Sequence, residues 1–265
     1  MSVTHLDHWA ATLRTYPYLF ANLLALVIIL SAVRVCLPMA HRRLTLWMGL
    51  LLAPTFAYSP LLTRDYWEMV RLGGWPTGVE DLVCAFSLGT LGCFAGLILF
   101  RDRLTVAARP APRIAYLLAV IAAAQVPYFG LGLLGFSTLS ALVSTQFLGA
   151  AILLALRPDL RQLALVNVAG LVVIYPMALS LFYWIWPDFV SCWKTTAPWG
   201  LRLAGIPLGE MGWAASFGLV WPLIAGVVFD VRLAARPVTP REQPRVETGG
   251  GHRGLPAAAR DDQRR

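Results

Sequence analysis

The sequence predicts an all-α polytopic membrane protein with seven transmembrane helices, and three observations carry that reading. Hydrophobic residues make up 58% of the 265-residue chain and charged residues only 14%, against roughly 25% charged in an average soluble domain. Seven apolar stretches occur, at about 18–37, 44–62, 79–100, 114–134, 138–156, 163–186 and 206–229. Each is close to the ~20 residues that cross a hydrocarbon core about 30 Å thick. They lack the period-two alternation of a transmembrane barrel. A lone span in lipid must satisfy its backbone internally, which makes it a helix.

Residues 1–17 read as an outer amino-terminal segment. They have no basic run before an apolar core, so 18–37 is a retained span rather than a cleaved signal peptide. Span 2 follows the basic turn His41-Arg42-Arg43 and carries Pro54, a helix interrupter. Span 3 opens on Glu80-Asp81. Arg101, Arg103, Arg109 and Arg113 precede span 4, whose end, "GLGLLG" (130–135), matches Gly-x-Gly-x-x-Gly without the strand–turn–helix a dinucleotide site needs. Arg157 and Arg161 separate spans 5 and 6, span 6 carries Pro176, and span 7 follows a loop with the sole lysine, Lys194. Residues 236–265 have almost no bulky apolar content and read as a disordered basic tail.

The net charge of +8 reflects orientation rather than a nucleic-acid partner. Of the 22 basic residues, 17 fall on one side of this arrangement, leaving Arg14, Arg64, Arg71, Lys194 and Arg202 on the other. The positive-inside rule puts the amino terminus outside and the carboxyl terminus in the cytoplasm. The expected location is the bacterial plasma membrane. Cys36, Cys84 and Cys93 read as buried intramembrane thiols and Cys192 as alone in an outer loop, with no disulfide or metal site.

Two segments repeat. "GVEDLVCAFSLG" (78–89) aligns with "PLGEMGWAASFG" (207–218): Ala85, Ser87 and Gly89 match Ala214, Ser216 and Gly218, and Asp81 falls on Glu210. Upstream, "RLGG" (71–74) mirrors "RLAG" (202–205). The domain therefore reads as two parallel three-helix repeats, about 18–100 and 138–230, joined by a linking helix at about 114–134. A pseudo-two-fold axis along the membrane normal would relate them. Gly92-x-x-x-Gly96 and Ala214-x-x-x-Gly218 give small faces for close helix contact.

"RLAGIPLGEMGWAASFGLVWPL" (202–223) resembles the signature of the integral-membrane lycopene cyclase family, the small heterodimeric or fused type. The resemblance covers about residues 18–230. Pro207-Leu208-Gly209-Glu210 and Gly78-Val79-Glu80-Asp81 are similar to its duplicated Pro-x-Glu-Glu/Asp motif, and "DYWEMVRLGG" (65–74) to its Asp-Tyr-Trp segment. Gly209 stands in place of one motif acid and Gly78 in place of one proline. The resemblance implies cofactor-independent, proton-initiated cyclisation of a linear polyene end group, with Glu80, Asp81 and Glu210 as the acids.

Such chemistry needs a carboxyl kept neutral against an apolar substrate, and desolvation together with a neighbouring carboxylate favours that state. Trp75, Phe86, Pro207, Trp213 and Phe217 are the expected substrate contacts, with Trp221 beside them; aromatic faces stabilise a carbocation, although tryptophans also gather at membrane interfaces. Arg71 and Arg202 are placed to orient the acids or to form simple ion pairs with them. The expected cleft lies between spans 3 and 7 and opens to lipid. Another polyprenyl substrate, or a non-catalytic carotenoid-binding or accessory role, are the alternatives. Expected partners are the polyene, the bilayer, and a second copy or carotenoid-pathway enzymes. His5, His8, His41 and His252 lie outside the apolar spans, which argues against a histidine-box oxygenase. The absence of a lysine from span 7 excludes a retinal Schiff base.

Overall fold

Prolines and short caps, more than hydrophobicity, set where the helices begin. The computed structural model describes residues 12, 13, 15–194 and 201–234. Within them are seven helical spans long and apolar enough to cross a membrane: Pro17–Cys36, Met39–Asp65, Val79–Leu99, Ile114–Leu133, Thr138–Leu156, Pro158–Ile185 and Leu208–Val228. Spans 2 and 6 begin about five residues before their apolar stretches, because each helix starts at or just after a proline, Pro38 and Pro158. Proline suits a helix start, where its missing N–H would have had no partner. His41 consequently lies inside span 2 rather than outside it, and it is buried. The tail at 236–265, His5, His8, His252 and nearly all of the outer segment lie outside the described residues.

Span 7 is the most enclosed helix and span 4 the least, with no buried residue at all. Span 7 packs on spans 5 and 6 and meets span 3 directly. Small residues permit that meeting. A Cβ at Gly92 would lie 2.5 Å from Trp221 Cδ1, and the Trp221 indole donates to the Gly89 carbonyl at 2.8 Å. Gly218 fills the same need against span 6, where a Cβ would meet the Asn167 backbone at 3.0 Å. Span 3 breaks at Gly92-Cys93, and the Gly96 N–H there donates to Asn167 Oδ1 at 3.1 Å. A buried polar side chain thus satisfies the interrupted backbone.

The two prolines behave differently. Pro54, followed by Pro60, converts Ala53–Tyr58 to a 3₁₀ turn. Pro176 sits inside an unbroken helix, Arg161–Ile185; one proline removes the bond to the Val172 carbonyl without ending a long, packed helix. Pro176 therefore does not interrupt span 6. The thiols are free, but Cys36 is exposed rather than buried, Cys84 and Cys192 are half-buried, and only Cys93 is enclosed.

Contacts knit each end of the bundle separately. At one end Leu104–Thr105 pairs with Arg232–Leu233, Arg43 donates to the Ala108 carbonyl at 2.8 Å, and Arg157 donates to the Gly226 and Val231 carbonyls. At the other, Trp67 bridges to Trp193, Glu68 N–H donates to the Cys192 carbonyl at 2.7 Å, and Thr138 N–H donates to Asp65 at 2.7 Å. The acids that open spans 3 and 7 belong to this second end.

Candidate functional site

Asp81 is the third residue of its helix, and so is Glu210. Carboxylates in a first turn face the free N–H groups and the positive end of the helix dipole. Asp81 uses this position fully: its Oδ2 accepts from Gly78 N–H at 2.8 Å and from Arg71 Nε at 2.7 Å. Its Oδ1 accepts from Ser59 at 2.7 Å and Tyr18 at 3.1 Å. Arg71 continues to Ser59 and Thr63 at 3.1 and 3.2 Å. The two charged side chains are 4% and 3% exposed. A buried pair with this many donors is an ionised carboxylate locked by its cation.

Glu210 has a different shell. Tyr66 donates to its Oε1 and Tyr175 to its Oε2. Among the described residues no Lys or Arg forms an ion pair with it. Arg202, expected to be its partner, is exposed and donates instead to the Val190 carbonyl at 3.3 Å. Tyr66 lies just beyond span 2; burial, then the neighbouring Glu210, pushes its phenol well above the usual range, so it meets the carboxyl as a protonated donor.

Asp81 and Glu210 line one cavity of about 250 Å³. All seven spans contribute to its wall, so it is not a cleft between spans 3 and 7, which touch. Its lining is mostly apolar and aromatic, including Tyr18, Tyr66, Trp67, Tyr128, Trp213 and Phe217. Trp213 stacks on Phe217 at 4.9 Å between centroids, and Tyr175 tilts against Trp213 at 5.2 Å.

Glu80 does not line this cavity. It is fully buried, its Oε1 accepts from Leu72 N–H at 2.6 Å, and its Oε2 has no protein partner. Its carboxyl folds over Gly78, where an added Cβ would sit 2.5–2.8 Å from the carboxyl atoms. A proline at position 78 would set its ring against Glu80 and would lose the N–H given to Asp81. Of the expected substrate contacts, Trp213 and Phe217 face the cavity, whereas Trp75, Phe86 and Pro207 are absent from its lining. Trp75 is 71% exposed, as befits an interfacial tryptophan in a glycine-rich turn.

Sequence reasoning missed Tyr18, Ser59 and Tyr175. Tyr66 lay within the Asp-Tyr-Trp segment, a signal for its position but not for its bond to Glu210. Among the described residues no three His, Cys, Asp or Glu side chains gather as a metal-ligand set. Comparison with protein-family models, characterised proteins and solved structures finds no match to this chain.

Proposed function

We propose that the protein is a membrane enzyme that cyclises the end group of a linear polyene of the carotenoid type by proton transfer, as its resemblance to the lycopene cyclases implies. One observation carries the reading: an aromatic cavity among the seven spans holds one carboxylate neutralised by Arg71 and one carboxyl, Glu210, held by two phenols and, among the described residues, by no cation. Glu210 is the proton donor to the terminal double bond. Tyr66 and Tyr175 stabilise the carboxylate left behind through charge-assisted hydrogen bonds. Trp213, Phe217 and Tyr175 offer π faces to the resulting cation. An inner double bond attacks the cation, closing a six-membered ring, and loss of a neighbouring proton to the cavity carboxylate gives an isomer of the substrate. No electrons are exchanged. Asp81–Arg71 fixes the polar wall, and Glu80 supports the turn that carries Arg71.

The repeat belongs to the same proposal. The mirrored turns both enter the left-handed region, Gly73-Gly74 at φ 77° and 68° and Ala204-Gly205 at 51° and 82°. Asp81 and Glu210 occupy the same helical position, and the two helices they open meet where Trp221 and Phe217 pack against Gly92. We read the acid end as the outer face of the bacterial plasma membrane and the arginine end as cytoplasmic.

The test uses washed membranes carrying the full chain, incubated with a panel of acyclic polyenes in D2O. The expected product has the substrate's composition plus one deuterium exchanged per ring. Glu210→Gln lowers the rate about 100-fold or more, within the 10²–10⁴ range of positioned general acids. Polyenes recovered unchanged from membranes with properly inserted protein overturn the reading.

A further inference from the structure

Spans 3 and 7 touch, so the cavity does not open between them, but the seam between spans 2 and 4 is built differently. Span 4 packs on spans 5 and 7 and not comparably on span 2, and it has no buried residue. Ala124, Gln125 and Tyr128 of this helix nevertheless line the cavity, as do Thr55 and Tyr58 of span 2. On the far wall Asp81, Ala85, Glu210 and Phe217 are buried. At the seam none of the five is buried, and Thr55 is exposed. Here the cavity reaches the outer surface of the bundle.

Side chains close the seam. Tyr58 donates to Gln125 Oε1 at 2.9 Å, and its ring meets Tyr128 edge-on, with centroids 6.1 Å apart. Gln125 is the twelfth residue of the helix Ile114–Leu133, about 16 Å from its start and so near the middle of a hydrocarbon core about 30 Å thick. What passes between these side chains comes from lipid. Both walls depart from regular helix here: Ala53–Tyr58 is a 3₁₀ turn, and Pro127 leaves the Ala123 carbonyl without its helical donor. The volume limits what can enter. An apolar cavity of about 150 Å³ holds one benzene, so about 250 Å³ suits roughly ten carbons. That is the size of an end group that closes a ring, and a carotenoid-type chain is several times longer.

We propose that the polyene is held threaded: one end group folds beside Glu210 inside the cavity, and the rest of the chain leaves between spans 2 and 4, past Thr55, Tyr58, Gln125 and Tyr128, into the bilayer. The assignment rests on the cavity being the substrate site of the reading above. It makes the bilayer the source of substrate, confines the reaction to one end at a time, and leaves the far end of the chain unread by the protein.

The test reads the route rather than the reaction. Cys84 lines the cavity and is a free thiol. In the full chain with Cys36, Cys93 and Cys192 replaced by alanine and reconstituted in liposomes, Cys84 is treated with hexadecyl methanethiosulfonate. Labelling forms a disulfide, releases methanesulfinate and is followed by intact mass; the methyl reagent measures the reactivity of the thiol itself. The hexadecyl tail exceeds what the cavity holds, so a labelled protein has its tail in the seam. Labelling by both reagents is expected. Thr55→Trp and Ala124→Phe should slow the hexadecyl reagent about tenfold or more relative to the methyl one, the effect of an overpacked opening. Tyr58→Ala should speed it, and Phe129→Trp, exposed on the same helix but outside the lining, should leave it unchanged. Labelling by the methyl reagent alone, by neither reagent, or by the hexadecyl reagent at an undiminished rate in both plugged proteins overturns the threading. Polyenes left unprocessed in D2O while the expected labelling holds overturn the cyclase reading and leave the route standing.

Discussion

At the residue scale, two carboxyls at equivalent helix positions have become chemically unlike through their neighbours. Asp81 has a guanidinium at 2.7 Å and three further donors; Glu210 has two phenols. The consequence is separable by mutation. Removing the charge of Asp81 leaves Arg71 buried and unpaired, at a cost of about 3–5 kcal/mol. Asp81→Asn should therefore lower the thermal unfolding temperature sharply, and Arg71→Met combined with Asp81→Leu should recover much of it. Tyr66→Phe and Tyr175→Phe remove one donor each from Glu210 and should slow turnover more than they destabilise. An Asp81→Asn protein as stable as the parent would contradict the ion-paired assignment. The sequence exposed both acids and Arg71, because their spacing is local. It concealed the phenols, because Tyr66 and Tyr175 reach Glu210 from 144 and 35 residues away, and nothing in a membrane-embedded tyrosine marks its partner. It also overstated Glu80, since adjacent residues on a helix point in different directions and only one of the pair faces the cavity.

At the element scale, glycine positions decide which helices touch. Gly92 faces the Trp221 and Phe217 rings with no room for a methyl group, whereas a Cβ at Gly149 in span 5 meets only Val220 Cγ2 at an ordinary 3.7 Å. Overpacking of this kind costs about 1–3 kcal/mol, while replacing a helical glycine that has room removes up to about 1 kcal/mol of backbone cost. Gly92→Ala should lower the unfolding temperature and Gly149→Ala should hold or raise it, both measured in the same detergent. Equal tolerance at the two sites would mean that spans 3 and 7 do not pack as described. The spans themselves were legible because apolar length is dictated by the bilayer. Their first turns were not, in spans 2 and 6, because polar basic residues continue the helix past the hydrocarbon edge. The small faces were legible as motifs, but only the fold assigns Gly92 to span 7 and both Gly96 and Gly218 to span 6.

At the scale of the whole molecule, charge and chemistry are segregated to opposite ends. Arg43, Arg103, Arg113, Arg157 and Arg232 crowd one end, where they bind loop carbonyls and carboxylates. The two cavity carboxyls, Asp81 and Glu210, lie at the other, in the first turns of spans 3 and 7. Lys and Arg resist translocation, so short loops rich in them stay cytoplasmic, which is the basis of the outward orientation proposed for the acid end. Single cysteines in a background freed of native thiols test this directly. Ser191, beside the Trp67–Trp193 bridge, is exposed at the acid end, and Ala107 is exposed in the arginine-rich loop. In intact cells an impermeant maleimide should label Ser191→Cys rapidly and Ala107→Cys only after permeabilisation. The opposite pattern would place Glu210 near the cytoplasmic face. Protons for the reaction would then come from inside the cell, so orientation decides which aqueous phase sets the pH that Glu210 experiences.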